Sequence, residues 1–149
     1  MAYTTREFIE TQILTLDELL DLQYAQLQGK KRVLDQIDDN QFSQSLSGVT
    51  GILSLLFALS TGYSVSLAVA SVLTSLTTNE RTVLSDTITT GYVGLGEPIE
   101  LMRNSTYDQI EIEFPFIEYT AWSTGEKVRF LSAEGLAKRV HTDSGWIVF

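Results

Sequence analysis

The sequence predicts an α+β protein with N-terminal helices and a hydrophobic helical hairpin, followed by a small antiparallel β-meander or barrel-like C-terminal region. Three observations support this. Apolar residues recur at three- and four-residue steps early in the chain, residues 40–79 carry no charge, and apolar and polar residues alternate near the end. We therefore divide the chain into a mainly helical region, residues 1–106, with an apolar hairpin at 43–76, and a β-rich region, residues 107–149.

The composition excludes several classes of function. The chain has 149 residues, a net charge of −9 and no cysteine. Affinity for nucleic acids comes mainly from clustered Lys and Arg, so no nucleic-acid partner is expected. The absence of cysteine excludes disulfides and thiol catalysis. The first residues do not have the basic start and apolar run of a signal peptide, so we expect a cytoplasmic protein, with incorporation in a virion or association with a membrane as alternatives.

The first region of the chain has helical spacing. Residues 4–27 place apolar side chains at helical steps with acidic side chains between them. Thr15 and Glu18 have the spacing of a capping box, so this region can form two short helices. Gly29 is expected to end it, and a second amphipathic helix is expected over residues 31–37.

The uncharged middle is the most unusual part of the sequence. Residues 48–76 are strongly apolar, and Val65 and Val72 belong to a series at helical spacing. Residues 60–63 have turn and N-cap chemistry between two apolar blocks. We predict an antiparallel helical hairpin, and a strand over residues 64–70 is the local alternative.

Small residues in this hairpin would let two helix backbones approach closely, which is typical of helix–helix contacts. The sequence therefore predicts an interface made by Gly48, Gly51, Leu55, Ala58, Gly62, Val65, Ala68, Val69, Val72 and Leu76.

Three interpretations of the uncharged middle compete. A membrane span needs about 20 apolar residues, but a break near residues 60–63 leaves two arms that are each too short. A hairpin buried in a monomer is hard to cover in a chain of this size. An interface with copies of the chain or with a partner resolves that difficulty, and we favour it.

The rest of the sequence predicts one helix, a loop and five strands. Thr78 or Asn79 can cap the helix, and the glycine-containing residues 91–98 form the loop, without the lysine of a phosphate-binding loop. Pro115 marks an edge, bend or bulge. The predicted strands cover residues 110–114, 117–122, 127–131, 136–141 and 146–149.

Catalytic and metal-binding signals are weak. The only histidine, His141, lies in a predicted strand, and a Ser-His-Asp arrangement would require residues from distant regions. We expect a surface histidine at a hairpin end. Asp35, Asp38 and Asp39 do not have the spacing of an EF-hand loop and are expected to cap a helix in solvent.

The remaining candidates have simple structural interpretations. Glu111, Glu113 and Glu118 are expected on the solvent face of strands. Trp122 and Trp146 could form a ligand platform, but tryptophans in a small β-rich region are more often core residues, and we expect them there.

Together these patterns predict a non-enzymatic structural or assembly protein that oligomerises, or docks into a larger complex, through its uncharged hairpin. By analogy of composition, a small bacteriophage virion or tail component would fit. The alternative is a membrane-inserting or pore-forming protein that uses the same hairpin, and a weaker alternative is a small protein-binding inhibitor or regulator. No catalytic residue, cofactor or metal site is predicted.

Overall fold

The computed structural model describes residues 2–149 and confirms the predicted α+β class. The elements in chain order are β1 (Tyr3–Leu14), α1 (Leu16–Val33), α2 (Asp39–Ser45), a short 3-10 turn (Ser47–Val49), α3 (Thr50–Leu56), α4 (Gly62–Thr74), α5 (Thr78–Val93), α6 (Gly96–Arg103), β2 (Gln109–Ala121), β3 (Lys127–Leu131), β4 (Leu136–Thr142) and β5 (Gly145–Val148). Within the described residues the five strands form one antiparallel sheet, which is open and not closed into a barrel.

Strand β2 organises this sheet. It pairs along its whole length with β1, so that Leu14 lies opposite Ile110 and Tyr3 lies opposite Ala121. On its other side it pairs first with β4 and then with β3. The strand order is β1-β2-β4-β5, with β3 beside the second half of β2. The N-terminal strand and the C-terminal strands therefore share one sheet.

Pro115 lies inside this central strand, where the sequence predicted two separate strands. Its carbonyl accepts a hydrogen bond from the Ser132 N–H, beside β3. The N and C=O of a strand residue point to the same side. The N–H that proline lacks would therefore face the gap where the partner of β2 changes from β4 to β3. No ladder hydrogen bond is lost there, so β2 continues through the proline.

The prediction of a helix over residues 4–27 is wrong for its first half, which is strand β1. Its β-branched residues, including Ile9, Thr11 and Ile13, favour a strand. Towards its end every second side chain, namely Gln12 and Leu14, is buried. The second half is helical, as predicted. The Thr15–Glu18 capping box is confirmed, because the Thr15 hydroxyl accepts from the Glu18 N–H and the Glu18 carboxylate accepts from the Thr15 N–H.

The predicted stop at Gly29 and the predicted helix over residues 31–37 are also wrong. Helix α1 runs through Gly29 to Val33. A Cβ at position 29 would lie 3.2 Å from the Phe130 ring, so this glycine serves close packing between α1 and β3. The chain then turns at Asp35, which has a φ of 56°.

The strongly apolar part of the uncharged middle, residues 48–76, forms two helices, α3 and α4, and a strand over residues 64–70 is excluded. The break falls where it was predicted, with Thr61 as the N-cap of α4. The pairing within the hairpin differs from the prediction. Helix α4 packs mainly against α2, a helix that the sequence analysis missed, and only slightly against the short α3.

The predicted loop over residues 91–98 is wrong, because α5 extends to Val93 and α6 starts at Gly96. Gly91 lies inside α5 where this helix crosses β3. A Cβ there would lie 2.3 Å from the Leu131 carbonyl oxygen. The glycine therefore allows a close helix–strand contact and does not end the helix.

Helices α1, α3, α4 and α5 cover β3 and the adjoining part of β2. Phe57 packs edge-on against Phe130, with ring centroids 5.7 Å apart. The buried Gln26 side-chain amide of α1 donates to the Ile88 and Leu131 carbonyls, which joins α1 to α5 and β3. This core leaves β1 at the margin of the sheet.

Candidate interaction surface

Strand β1 is a long edge strand with a regular register. Each residue from Tyr3 to Leu14 has one partner in β2, and no bulge interrupts the series. Its first residue is tied to α5, because the Tyr3 hydroxyl donates a hydrogen bond to the Glu80 carboxylate. This bond, together with burial, raises the pKa of Tyr3 to about 12. The strand is therefore held straight against β2 by well-placed partners.

The direction of the backbone groups follows from one hydrogen bond at the end of the strand. The Trp122 N–H donates to the Ala2 carbonyl, so Ala2 faces β2. Successive strand residues alternate in direction, so even-numbered residues bond to β2 and odd-numbered residues point away from it. Within residues 2–149, no hydrogen bond is made by the outward backbone groups, which belong to Tyr3, Thr5, Glu7, Ile9, Thr11 and Ile13.

This edge has charged side chains, such as the inward-facing Glu10, but it lacks most of the other devices that keep a sheet from pairing with another chain. Natural edge strands are typically short, bulged, or protected by lysine or proline. Strand β1 has 12 residues and contains neither lysine nor proline, whereas β3 and β5 have five and four residues. Ile9 is 69% exposed and Ile13 is 43% exposed on the same side of the strand.

The sheet face next to this edge is open and mixes apolar side chains with ion pairs. One row across the four strands contains Ile13, Glu111, Arg139 and Val148. The Arg139 guanidinium lies 3.1 Å from the Glu111 carboxylate and also covers the Trp146 ring, 4.1 Å from its centroid. The two central charges of this face are thus paired with each other, and apolar side chains around them remain exposed.

A buried arginine on β3 connects the edge strand β1 to helix α3. Arg129 is only 8% exposed and donates to the Leu55 and Leu56 carbonyls at the end of α3. Its guanidinium forms an ion pair with Glu10 at 2.6 Å and covers the Phe116 ring. Arg129 thus links β1 to α3, and the strand cannot move away from β3 and the helices without breaking its ion pair with Arg129. The sequence analysis missed Arg129, and a single arginine in a strand pattern gives no signal of this role.

A groove of about 550 Å³ lies between α6 and β4, with Ile112 and Leu101 among its lining residues. Glu97 and Glu134 are at its rim, and their carboxyl groups are hydrogen-bonded to each other. That hydrogen bond, together with the negative charge of Glu97, raises the pKa of Glu134. The groove is mostly apolar with an acidic rim, and no nucleophile accompanies the carboxyl pair among its lining residues.

The ten predicted interface residues are divided by the fold. Ala58, Gly48 and Gly51 are exposed, and Leu55 and Leu76 are half-buried. The other five contact the chain's own core: Gly62, Val65, Ala68, Val69 and Val72. Those five cannot contribute to a surface in the folded monomer. An interface in this segment stays a prediction that can rest only on its exposed residues.

His141 lies at the end of β4, beside the β4–β5 hairpin, as predicted. Its Nδ1 is 2.7 Å from an Asp108 carboxylate oxygen, and its ring packs against Trp146. The prediction that the tryptophans are core residues is wrong. Trp122 is 56% exposed and Trp146 is half-buried.

The predicted acidic residues have structural partners. Asp38 caps α2 by accepting from the Gln41 N–H, which confirms its predicted role. Asp35 and Asp39 instead form ion pairs with Arg32, at 3.0 and 2.6 Å.

The glutamates of the sheet are also paired. Glu113 lies 3.8 Å from the Lys138 ammonium, and Glu118 lies 3.5 Å from the Arg6 guanidinium. Together with Glu111, they are half-buried on the central strand β2 and are only partly in solvent.

Comparison with known proteins gives no family for this chain. No protein-family model matches it, and neither a curated protein nor a solved structure matches it. None of the helices described for residues 2–149 has both the length and the hydropathy that a membrane crossing requires.

Proposed function

We propose that this chain is a non-enzymatic assembly protein that self-associates by extending its sheet at the free edge of β1. The observation that carries the proposal is the unbroken row of outward backbone groups on β1 beside the exposed Ile9 and Ile13. Addition of a strand to an open sheet edge is a recurring mode of protein recognition, in which main-chain hydrogen bonds give the affinity.

The proposal moves the contact surface from the uncharged segment to the sheet. Half of the predicted interface residues are buried in the chain's own core. The edge of β1, in contrast, has hydrogen-bonding groups that require a partner or water. The bacteriophage virion or tail component stays a prediction from composition.

The mass of the protein in detergent-free buffer tests this function. We expect a defined multimer by size-exclusion chromatography with light scattering. Thr11→Pro removes an outward N–H and places a proline ring at the edge, which a monomer tolerates because that N–H has no partner in the chain. It should therefore shift the protein to monomer, whereas Thr11→Val, which keeps the N–H, should not.

Two results would contradict the proposal. One is a wild-type protein that is monomeric at every concentration. The other is a multimer whose mass is the same for Thr11→Pro and for wild type, since assembly would then not involve the edge.

A further inference from the structure

We infer that the strand that pairs with β1 is β1 of a second copy, antiparallel, with a two-fold axis through Phe8. In this arrangement Arg6 faces Glu10 of the second copy, and Tyr3 faces Ile13 of the second copy. The inference rests on the proposed self-association and specifies its geometry, which joins the two sheets into one continuous sheet.

The alternation of backbone groups limits where the axis can pass. Outward groups belong to the odd-numbered residues, so the hydrogen-bonded pairs across the new contact must join odd-numbered residues. A symmetric antiparallel pair with that property has its axis through a residue position and not between two positions. The possible centres are therefore individual residues near the middle of β1.

Overlap of the strands favours Phe8 as the centre. An axis there pairs Tyr3 with Ile13, Thr5 with Thr11 and Glu7 with Ile9, so every outward residue of β1 meets an outward residue of the second copy. Moving the axis by one residue in either direction leaves at least one end of the strand without a partner in β1.

Charge complementarity selects the same centre. An axis through Phe8 places Arg6 opposite Glu10 of the second copy twice in each dimer and places the two Phe8 residues opposite each other. An axis through Glu7 or through Glu10 places that carboxylate opposite its own copy, and like charges directly opposite one another destabilise a strand pair. An axis through Ile9 places Phe8 opposite Glu10 and leaves Arg6 without an acidic partner.

The side chains concerned are accessible and already ordered. The side chain of Arg6 is 65% exposed and lies 3.5 Å from Glu118, and that of Glu10 is 43% exposed and paired with Arg129. In the dimer Arg6 contacts its own Glu118 and Glu10 of the second copy, and Glu10 contacts its own Arg129 and Arg6 of the second copy. Arg6 and Glu10 therefore each gain one opposite charge across the new contact.

Cysteine scanning tests the register directly, because the chain has no cysteine of its own. The double variant Thr5→Cys/Thr11→Cys brings residues 5 and 11 of different copies into a hydrogen-bonded pair, where the Cα separation of about 5.5 Å suits a disulfide. Within one copy the two thiols lie on the same strand about 20 Å apart and cannot react. With diamide as oxidant we expect most of the protein to become a covalent dimer.

Single variants locate the axis. Phe8→Cys should give the covalent dimer, and Ile9→Cys should not. If Phe8→Cys disturbs folding, as judged by circular dichroism, the double variant still decides the register. Cross-linking of Ile9→Cys, with none in the double variant, would overturn the inferred register while leaving edge-to-edge assembly intact. Absence of any multimer in the wild type would instead overturn the proposed function itself.

A charge reversal provides an independent readout. Arg6→Glu replaces two opposite-charge pairs with two like-charge pairs, and we expect the dimer dissociation constant to rise about tenfold. Arg103→Glu is the matched control, because it makes the same change of charge at an exposed position of α6, outside the sheet. An equal effect of both variants would show that net charge and not the Arg6 contact is responsible, and would contradict the register.

Discussion

At the scale of single residues, Gly91 shows how one missing side chain sets the distance between two elements. It lies in the last turn of α5, where any Cβ would overlap the backbone of Leu131 in β3. Backbone atoms cannot rotate away as a flexible side chain can, so this contact can be relieved only by moving α5 or β3. The glycine was assigned to a loop because its sequence pattern resembles a turn.

This contact gives the first prediction. Gly91→Ala should lower the free energy of unfolding by about 1–3 kcal/mol, because the added methyl group forces α5 from β3. The control is Gly51→Ala in α3, where a Cβ meets nothing within 4 Å. It should be neutral or stabilising by up to about 1 kcal/mol, because alanine favours a helix over glycine. Urea unfolding of the two variants would contradict the account if both lost stability equally.

At the scale of elements, the stability of the contact between α6 and the segment joining β3 to β4 depends on pH. The carboxyl of Glu134 is hydrogen-bonded to that of Glu97, and the pKa of Glu134 is raised above its ordinary value of 4.5. A carboxyl with a raised pKa contributes stability below its unfolded value, and that stability is lost as the pH rises through the folded pKa. Near neutral pH the two carboxylates repel each other.

The second prediction follows from this sign. Glu134→Gln keeps a hydrogen-bond donor and removes one charge, so it should raise the melting temperature at neutral pH. The gain should vanish as the pH falls towards 4.5. Asp86→Asn, at an exposed position of α5, also removes one negative charge but lies outside the pair, and it should show no such pH dependence. Thermal unfolding across this pH range would contradict the account if the two variants behaved alike.

The elements also show what local sequence can and cannot predict. Signals contained within a few residues were reliable: the Thr15–Glu18 capping box, the Thr61 cap of α4 and the strand over Lys127–Leu131 all appear in the structure. Elements defined by distant partners were missed. Strand β1 exists because it pairs with β2, about a hundred residues away, and its apolar residues also fit helical spacing.

The candidate site was missed for the same reason. Whether a strand lies at the edge of a sheet depends on the strand order. The local sequence of β1 therefore does not indicate that one side of the strand is unpaired. Arg129 and Glu10, which support that edge, are far apart in sequence and meet only in the folded sheet.

At the scale of the whole molecule, the uncharged stretch and the free edge have different explanations. Residues 40–79 lack charge in large part because α2, α3 and α4 line the chain's own core. The rest of the monomer covers much of this stretch. The outward backbone N–H and C=O groups of β1 have no hydrogen-bond partner within the described residues. We therefore propose that assembly takes place at this edge.

Hydrogen exchange read residue by residue along β1 tests this central claim most directly. The even-numbered amides, such as those of Arg6, Phe8 and Glu10, bond to β2 and should exchange slowly in any folded state. At concentrations where the protein assembles, the account predicts that the amides of Thr5, Glu7, Ile9 and Thr11 are slow as well. Fast exchange at those odd positions, beside slow even ones, would show a free edge and contradict it.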